Sequence, residues 1–392
     1  MILKKSAVAR LILFATLASG CQTKHPTDAV ALAPIKSMIK GWSFDLELKS
    51  RHDAVRELYL RDDVLYVCSD RNFVAALSAA GGKPIFGENV TPDQIPIKPP
   101  LVLGERVIFP AGSTLQIYDK KGKKQSERQL GHSLRSPAAG NGEMVYVGLD
   151  YPAGGRLAAV DLTRPQLRAR WELLLGAVSA APAVYEDVIY VAAETGAVTA
   201  INGSRDPMWP LDDSAFRTGG RVLADVIVDD SGVYVASTDS KLYCLDRATG
   251  KLKWQFFAGA PLEMAPVVTA DTVYQYIPGV GVAALDKLTG KFSREPRWVA
   301  SGARKFLAQD DKYAYLRGAA NNIVALDKIT GDPAFKSRRD DFEVFASNTK
   351  DATIYAARRD GLVMAIKPVL KPGTVGTMVL APAPLNDALA SR

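Results

Sequence analysis

The sequence predicts an all-β fold: an eight-bladed β-propeller of four-stranded antiparallel blades, closed by an N-terminal strand that completes the last blade. Three observations predict it. A short strand of the type VYV recurs with anchors at Tyr66, Ile108, Tyr146, Tyr190, Tyr234, Tyr274, Tyr315 and Tyr355, separated by 42, 38, 44, 44, 40, 41 and 40 residues. Each anchor sits in one grammar of apolar strand, anchor strand, strand ending Ala-Leu-Asp, turn, and a last strand with an aromatic. The eighth repeat lacks its last strand, and Trp42 to Leu46 (WSFDL) supplies that pattern at the other end of the chain.

Each element follows in order. The first strand often opens Ala-Pro, as in APAV at 181 to 184 and APVV at 265 to 268. The third strand and its turn recur as CLDRATGK from Cys244, ALDKLTGK from Ala284 and ALDKITGD from Ala325, and more loosely as IYDKKGKK from Ile117 and AVDLTRPQ from Ala159. Their β-branched and aromatic content fits strands, and no segment carries helical periodicity over a useful length. Four short strands per 40 to 45 residues is the period of a propeller blade. A ring of sheets must join its last blade to its first, and residues 41 to 48 are expected to do so, leaving no sheet edge open.

The ends are of a different kind. Lys4, Lys5 and Arg10 precede the apolar run Leu11 to Leu17, the pattern of a secretory signal peptide over residues 1–20. That run is too short to span a membrane, which takes roughly 20 apolar residues. Ala18-Ser19-Gly20-Cys21 resembles the lipobox of bacterial lipoproteins, with Ala18 where leucine is usual. The resemblance implies lipidation at Cys21, and Gln22 after it implies the outer membrane. The expected organisation is signal peptide 1–20, lipid-anchored linker 21–40, propeller 41–368 and a Pro/Ala-rich tail 369–392.

The chain has 392 residues, 49 Lys and Arg against 42 Asp and Glu, and 47% apolar residues. Losing Lys4, Lys5 and Arg10 with the signal leaves a charge near +4, too modest to argue for nucleic acid in an exported protein. With Cys21 lipidated, Cys68 and Cys244 remain. They fall in blades one and five, opposite each other in an eight-membered ring and beyond the roughly 7 Å reach of a disulfide, so both are expected as free, buried thiols.

The repeat grammar resembles the pyrroloquinoline quinone (PQQ)-like repeat family of β-propellers, and on a lipoprotein anchor the BamB family within it. That resemblance implies a non-enzymatic, periplasm-facing scaffold or recognition module supporting assembly of outer-membrane β-barrel proteins. Its partners would be the barrel assembly machinery or another envelope protein. Ser133-Leu134-Arg135 resembles the family's contact loop, which implies partner binding by Leu134 and Arg135, with Asp225 as an acidic contact two blades later. The rival is a PQQ-dependent dehydrogenase or a small-ligand sensor using the central channel. Such dehydrogenases carry adjacent cysteines or long insertions that this chain lacks, so no cofactor is expected despite the repeat name.

Catalytic residues are scarce. His25, His52 and His132 have no metal or triad spacing, and there is no nucleophile elbow or phosphate loop. The five tryptophans fall on fourth strands or the matching interval, where an indole fills the wedge between blades. One constellation stands out. Two places before the Ala-Pro proline or its equivalent stand Arg56, Lys98, Arg135 and Lys305, in blades one, two, three and seven, where the other blades have Ala180, Ala224, Met264 and Phe345. Innermost strands line the channel, so these cations are expected to gather at one mouth. They would serve either as solvated lining charge or as a dock for an acidic partner.

Overall fold

Strands such as Val64–Ser69 and Phe73–Ser78 are apolar along most of their length and almost wholly buried along it. Packing blades face to face covers both sides of a sheet, so alternation gives way to continuous apolar runs. The computed structural model describes residues 38–48, 52–152, 154–164, 168–210, 215–288, 295–337 and 341–368. The expected signal peptide, Cys21, most of the linker and the 369–392 tail lie outside the described residues. Every regular element described is a strand, and the strands form eight sheets.

Blade one shows the plan: Val55–Arg61, Val64–Ser69, Phe73–Ser78 and Pro84–Asn89 pair antiparallel in chain order. First strands of neighbouring blades touch one another, so they are innermost. The last strand is outermost and mostly exposed. Closure is as expected in kind, with Met38–Asp45 pairing antiparallel with Leu362–Pro368 as the outer strand of blade eight. The strand sits three residues earlier than the expected 41 to 48, because the long edge of Leu362–Pro368 also recruits Met38 to Lys40 across a bulge at Gly41.

Blade four departs from the plan. Among the described residues it has three regular strands, and its outer position holds an irregular segment joined by isolated bridges at Ile201↔Pro207 and Ala197↔Arg217. Pairing there is local: Pro207 bridges to Ile201, and the Met208 amide donates to the Ala200 carbonyl at 2.8 Å.

A row across each blade explains the repeat. In blade five Tyr234 pairs with Cys244 and Cys244 with Trp254. In blade six the row is Tyr274, Ala284, Trp298. In blade eight it is Tyr355, Ala365, Trp42. The small middle residue lets the flanking rings meet above it, with centroids 5.9 to 6.1 Å apart in these three blades, within the range for favourable ring contact. Cys244 thus stands in an alanine's place. Both Cys68 and Cys244 are buried and unpaired, and burial pushes each thiol up to about 12.

The indoles also tie blade to blade. The Nε1 of Trp42 donates to the Ala79 carbonyl at 2.8 Å, Trp171 to Gly203 at 2.9 Å, Trp209 to Arg247 at 2.9 Å and Trp298 to Lys328 at 3.1 Å. In each case the acceptor belongs to the next blade. The turn glycine of that blade makes room: Gly250 has φ +72°, and a Cβ there would lie 2.7 Å from the Trp209 ring. Only glycine meets both conditions without strain.

Candidate functional site

All innermost strands run the same way along the axis, so residues at their starts share one mouth of the channel. The four cations singled out in the sequence lie there, but they do not form one open positive site. Three of them clasp the ring. The Arg56 guanidinium donates to the Ile97 carbonyl at 3.3 Å, Lys98 Nζ to the Arg135 carbonyl at 2.9 Å, and Lys305 Nζ to the Phe345 carbonyl at 2.6 Å. Each bond crosses to the next blade, and bonds from a charged donor are the stronger kind.

Arg135 is neutralised. It donates to Asp150 Oδ1 at 2.6 Å and to Glu194 Oε1 at 2.7 Å, and its Nε reaches Ser179 Oγ at 2.9 Å. Arg221 pairs with the other Glu194 oxygen. Burial pushes the Glu194 carboxyl up, but the bonds from Ser179, Arg135 and Arg221 outweigh it and hold the group at about 2.

Asp225 lies inside the channel. Its Oδ1 accepts the Ala181 amide of blade four at 2.8 Å. Burial raises its carboxyl above the usual range, opposed by that bond and by the fields of Arg61 and Lys98. Arg61 and Lys98 are lowered, first by burial. Charges from blades one, two and five therefore act on one another across the channel.

Leu134 is 8% exposed and packs among Leu103, Leu115, Val147 and Leu149. The three residues implied as partner contacts are thus a core side chain, a cation held by two carboxylates and a channel carboxylate. Of the three, only Arg135 faces outward enough to meet a partner directly.

What remains open lies at the junction of blades seven, eight and one. A cavity of about 240 Å³ is lined there by Arg56, Glu57, Lys305, Arg317 and Phe345 among others. It adjoins a channel cavity of about 430 Å³ that shares Leu58, Tyr59 and Lys305 and contains Arg61, Asp225 and Glu263. Arg317 was missed in the sequence although the repeat marks it: it stands two places after its anchor, where Gly148, Ala192, Ala236 and Ala357 stand elsewhere. Arg61 and Glu194 carried no such mark, since only the closed ring brings them to their partners. Among the described residues no three His, Cys, Asp or Glu side chains are placed to hold a metal ion.

The family described as Outer membrane protein assembly factor BamB matches residues 39–209 and 208–367, nearly the whole ring. The chain belongs to this family. No curated protein matches it. Among solved structures, BamB from Moraxella catarrhalis is similar at 16% identity and a TM-score of 0.65, covering 85% of this chain and 98% of that one. The computationally designed Ika8 protein gives 15% and 0.62, covering 82% and 98%. The C-terminal WD40 domain of Sif2 gives 12% and 0.63, covering 86% and 100%. At these identities the structures share the fold alone, and it is the match along the sequence that separates the BamB family from other propellers.

Proposed function

We propose that the protein is a non-enzymatic scaffold of the cell envelope, lipid-anchored to the outer membrane at Cys21 and facing the periplasm, that supports assembly of outer-membrane β-barrel proteins. The observation that carries this reading is the match to the BamB family over both halves of the ring. The lipobox-like segment ending at Cys21 agrees with it, as does the absence of an acid–base or nucleophile constellation in the sequence. A rigid ring presents wide faces of loops, and multivalent contact through such loops needs no catalytic group. Arg135, Asp150, Glu194 and Arg221 form a braced polar rim over blades three to five, and this rim is the surface assigned to the partner.

The test is capture of the lipidated protein from membranes in mild detergent. Co-purification of a β-barrel protein and its assembly partners is expected, with loss on Arg135→Glu. Capture that returns no barrel-associated protein overturns the reading. The second reading, a quinone enzyme or channel sensor, rests on the 430 Å³ cavity. Added PQQ and calcium would then give a bound quinone absorbance and turnover of an artificial electron acceptor.

A further inference from the structure

The cavity between blades seven, eight and one brings three cations to one lining against a single carboxylate. Arg56 comes from the start of strand Val55–Arg61, Lys305 from the start of Lys305–Gln309, and Arg317 from the end of Tyr313–Arg317. Among the described residues none of the three is joined to a carboxylate by an ion pair, in contrast to Arg135. Each keeps donors in hand. Lys305 spends one on Phe345, Arg56 one on Ile97, and Arg317 turns its Nε and one terminal nitrogen to Asn321, whereas an ammonium has three donors and a guanidinium five. The guanidinium of Arg317 also lies 5.6 Å from the Phe345 ring centroid, which holds it against the cavity wall.

We propose that this cavity binds the carboxylate of an acidic side chain presented by an extended peptide segment. The charge balance calls for an anion, because three like charges share a lining with one carboxylate, Glu57; Glu343 acts on Arg317 from outside that lining, as does the further cation Arg304. Size argues for one group of something larger, since 240 Å³ lies below the usual 300 to 1,000 Å³ of whole-ligand sites. A carboxylate matches the planar fork of arginine, and inorganic phosphate is the dianion against which it is tested below. The apolar wall of Leu58 and Phe345 suits the methylene stem of glutamate, and the cavity's opening leaves the rest of the peptide at the mouth. Burial, with Arg317 adding to it and Glu57 opposing it, lowers the Lys305 ammonium to about 8, so a bound carboxylate would also relieve an unfavourable charge.

This site is separate from the rim over blades three to five, and its failure leaves the scaffold reading intact. The experiment measures binding of a fluorescent glutamate-bearing peptide to the full lipidated chain in detergent, by anisotropy at low salt. Parallel arms use the same peptide with glutamine, free glutarate, and inorganic phosphate as competitors. Expected are binding of the glutamate peptide and a loss of about tenfold or more in Arg317→Gln and Lys305→Met. Lys98→Met, at the same mouth but outside the cavity, should change affinity less than twofold. Glu57→Gln should tighten binding, which keeps the test decisive should a cation variant fail to fold. Equal binding of the glutamine peptide, equal competition by glutarate or phosphate, or indifference to Arg317→Gln and Glu57→Gln would overturn the proposal.

Discussion

Lys305 and Glu194 show opposite ways of holding a charge at the mouth. Lys305 is enclosed with Arg317 near it, and its pKa falls from 10.5 to about 8. The unfolded chain therefore binds the proton more tightly, so the penalty is full below pH 8 and disappears as pH rises toward 10.5. Lys305→Met should raise stability at pH 7 by about 1 to 2 kcal/mol, after roughly 1 kcal/mol is lost from the orphaned Phe345 carbonyl. Urea unfolding at pH 7 and pH 10 checks this, and the gain should shrink at the higher pH. Glu194 is depressed from 4.5 to about 2. Its stabilisation is present above pH 4.5 and is lost as pH falls toward 2. Glu194→Gln should cost on the order of 3 kcal/mol at neutral pH and flatten the acid limb of the stability curve in that window.

At the scale of the element, the repeated turn is a socket for the preceding blade. The segment CLDRATGKLKW from Cys244 to Trp254 has the residue types of a ligand site, yet several of them have a structural task. Cys244 lies between Tyr234 and Trp254 in the ladder. Asp246 accepts the Thr249 amide at 2.9 Å to shape the turn. The Arg247 carbonyl receives the Trp209 indole, and Gly250 lies beneath that ring. Gly250→Ala should cost about 2 to 3 kcal/mol through backbone strain and overlap with the indole. Gly142→Ala, where φ is +51° and nothing lies within 4 Å, should cost about 1 kcal/mol. Chemical denaturation of the two variants separates the socket from the turn. This element was legible in sequence because the same few residues recur at one spacing. The loss of regular pairing in blade four was less so, since proline also stands in the regular outer strands Pro84–Asn89 and Pro333–Lys336.

For the whole molecule, one strand decides whether the ring is closed. Met38–Asp45 is the strand by which the N-terminal side completes the sheet of blade eight, and Trp42 both meets the Tyr355 ring in a tilted contact at 6.1 Å and donates to Ala79 of blade one. Trp42→Ala should destabilise by roughly 3 kcal/mol. Its distinguishing mark should be faster amide exchange confined to blades eight and one, because the indole bonds of Trp171, Trp209 and Trp298 lie at other interfaces. A uniform rise in exchange would show instead that the ring opens as one cooperative unit.

The sequence by itself determined the number of blades, the strand that closes them, the free cysteines and the place of the tryptophans. These are properties of a repeat: a small residue between two rings, or a glycine after a turn, imposes the same local physics in every copy. It also marked four cations as unusual, since any departure from a repeat is visible in its column. Only the tertiary structure decided what those cations do, because their fate depends on carboxylates and carbonyls that lie a blade or more away. Glu194 reaches Arg135 across 59 residues of chain, and Asp225 shares the channel with Arg61 across half the ring. Closing the ring therefore neutralises Arg135, sets Lys98 beside Asp225, and leaves Arg56, Lys305 and Arg317 together without a paired carboxylate among the described residues.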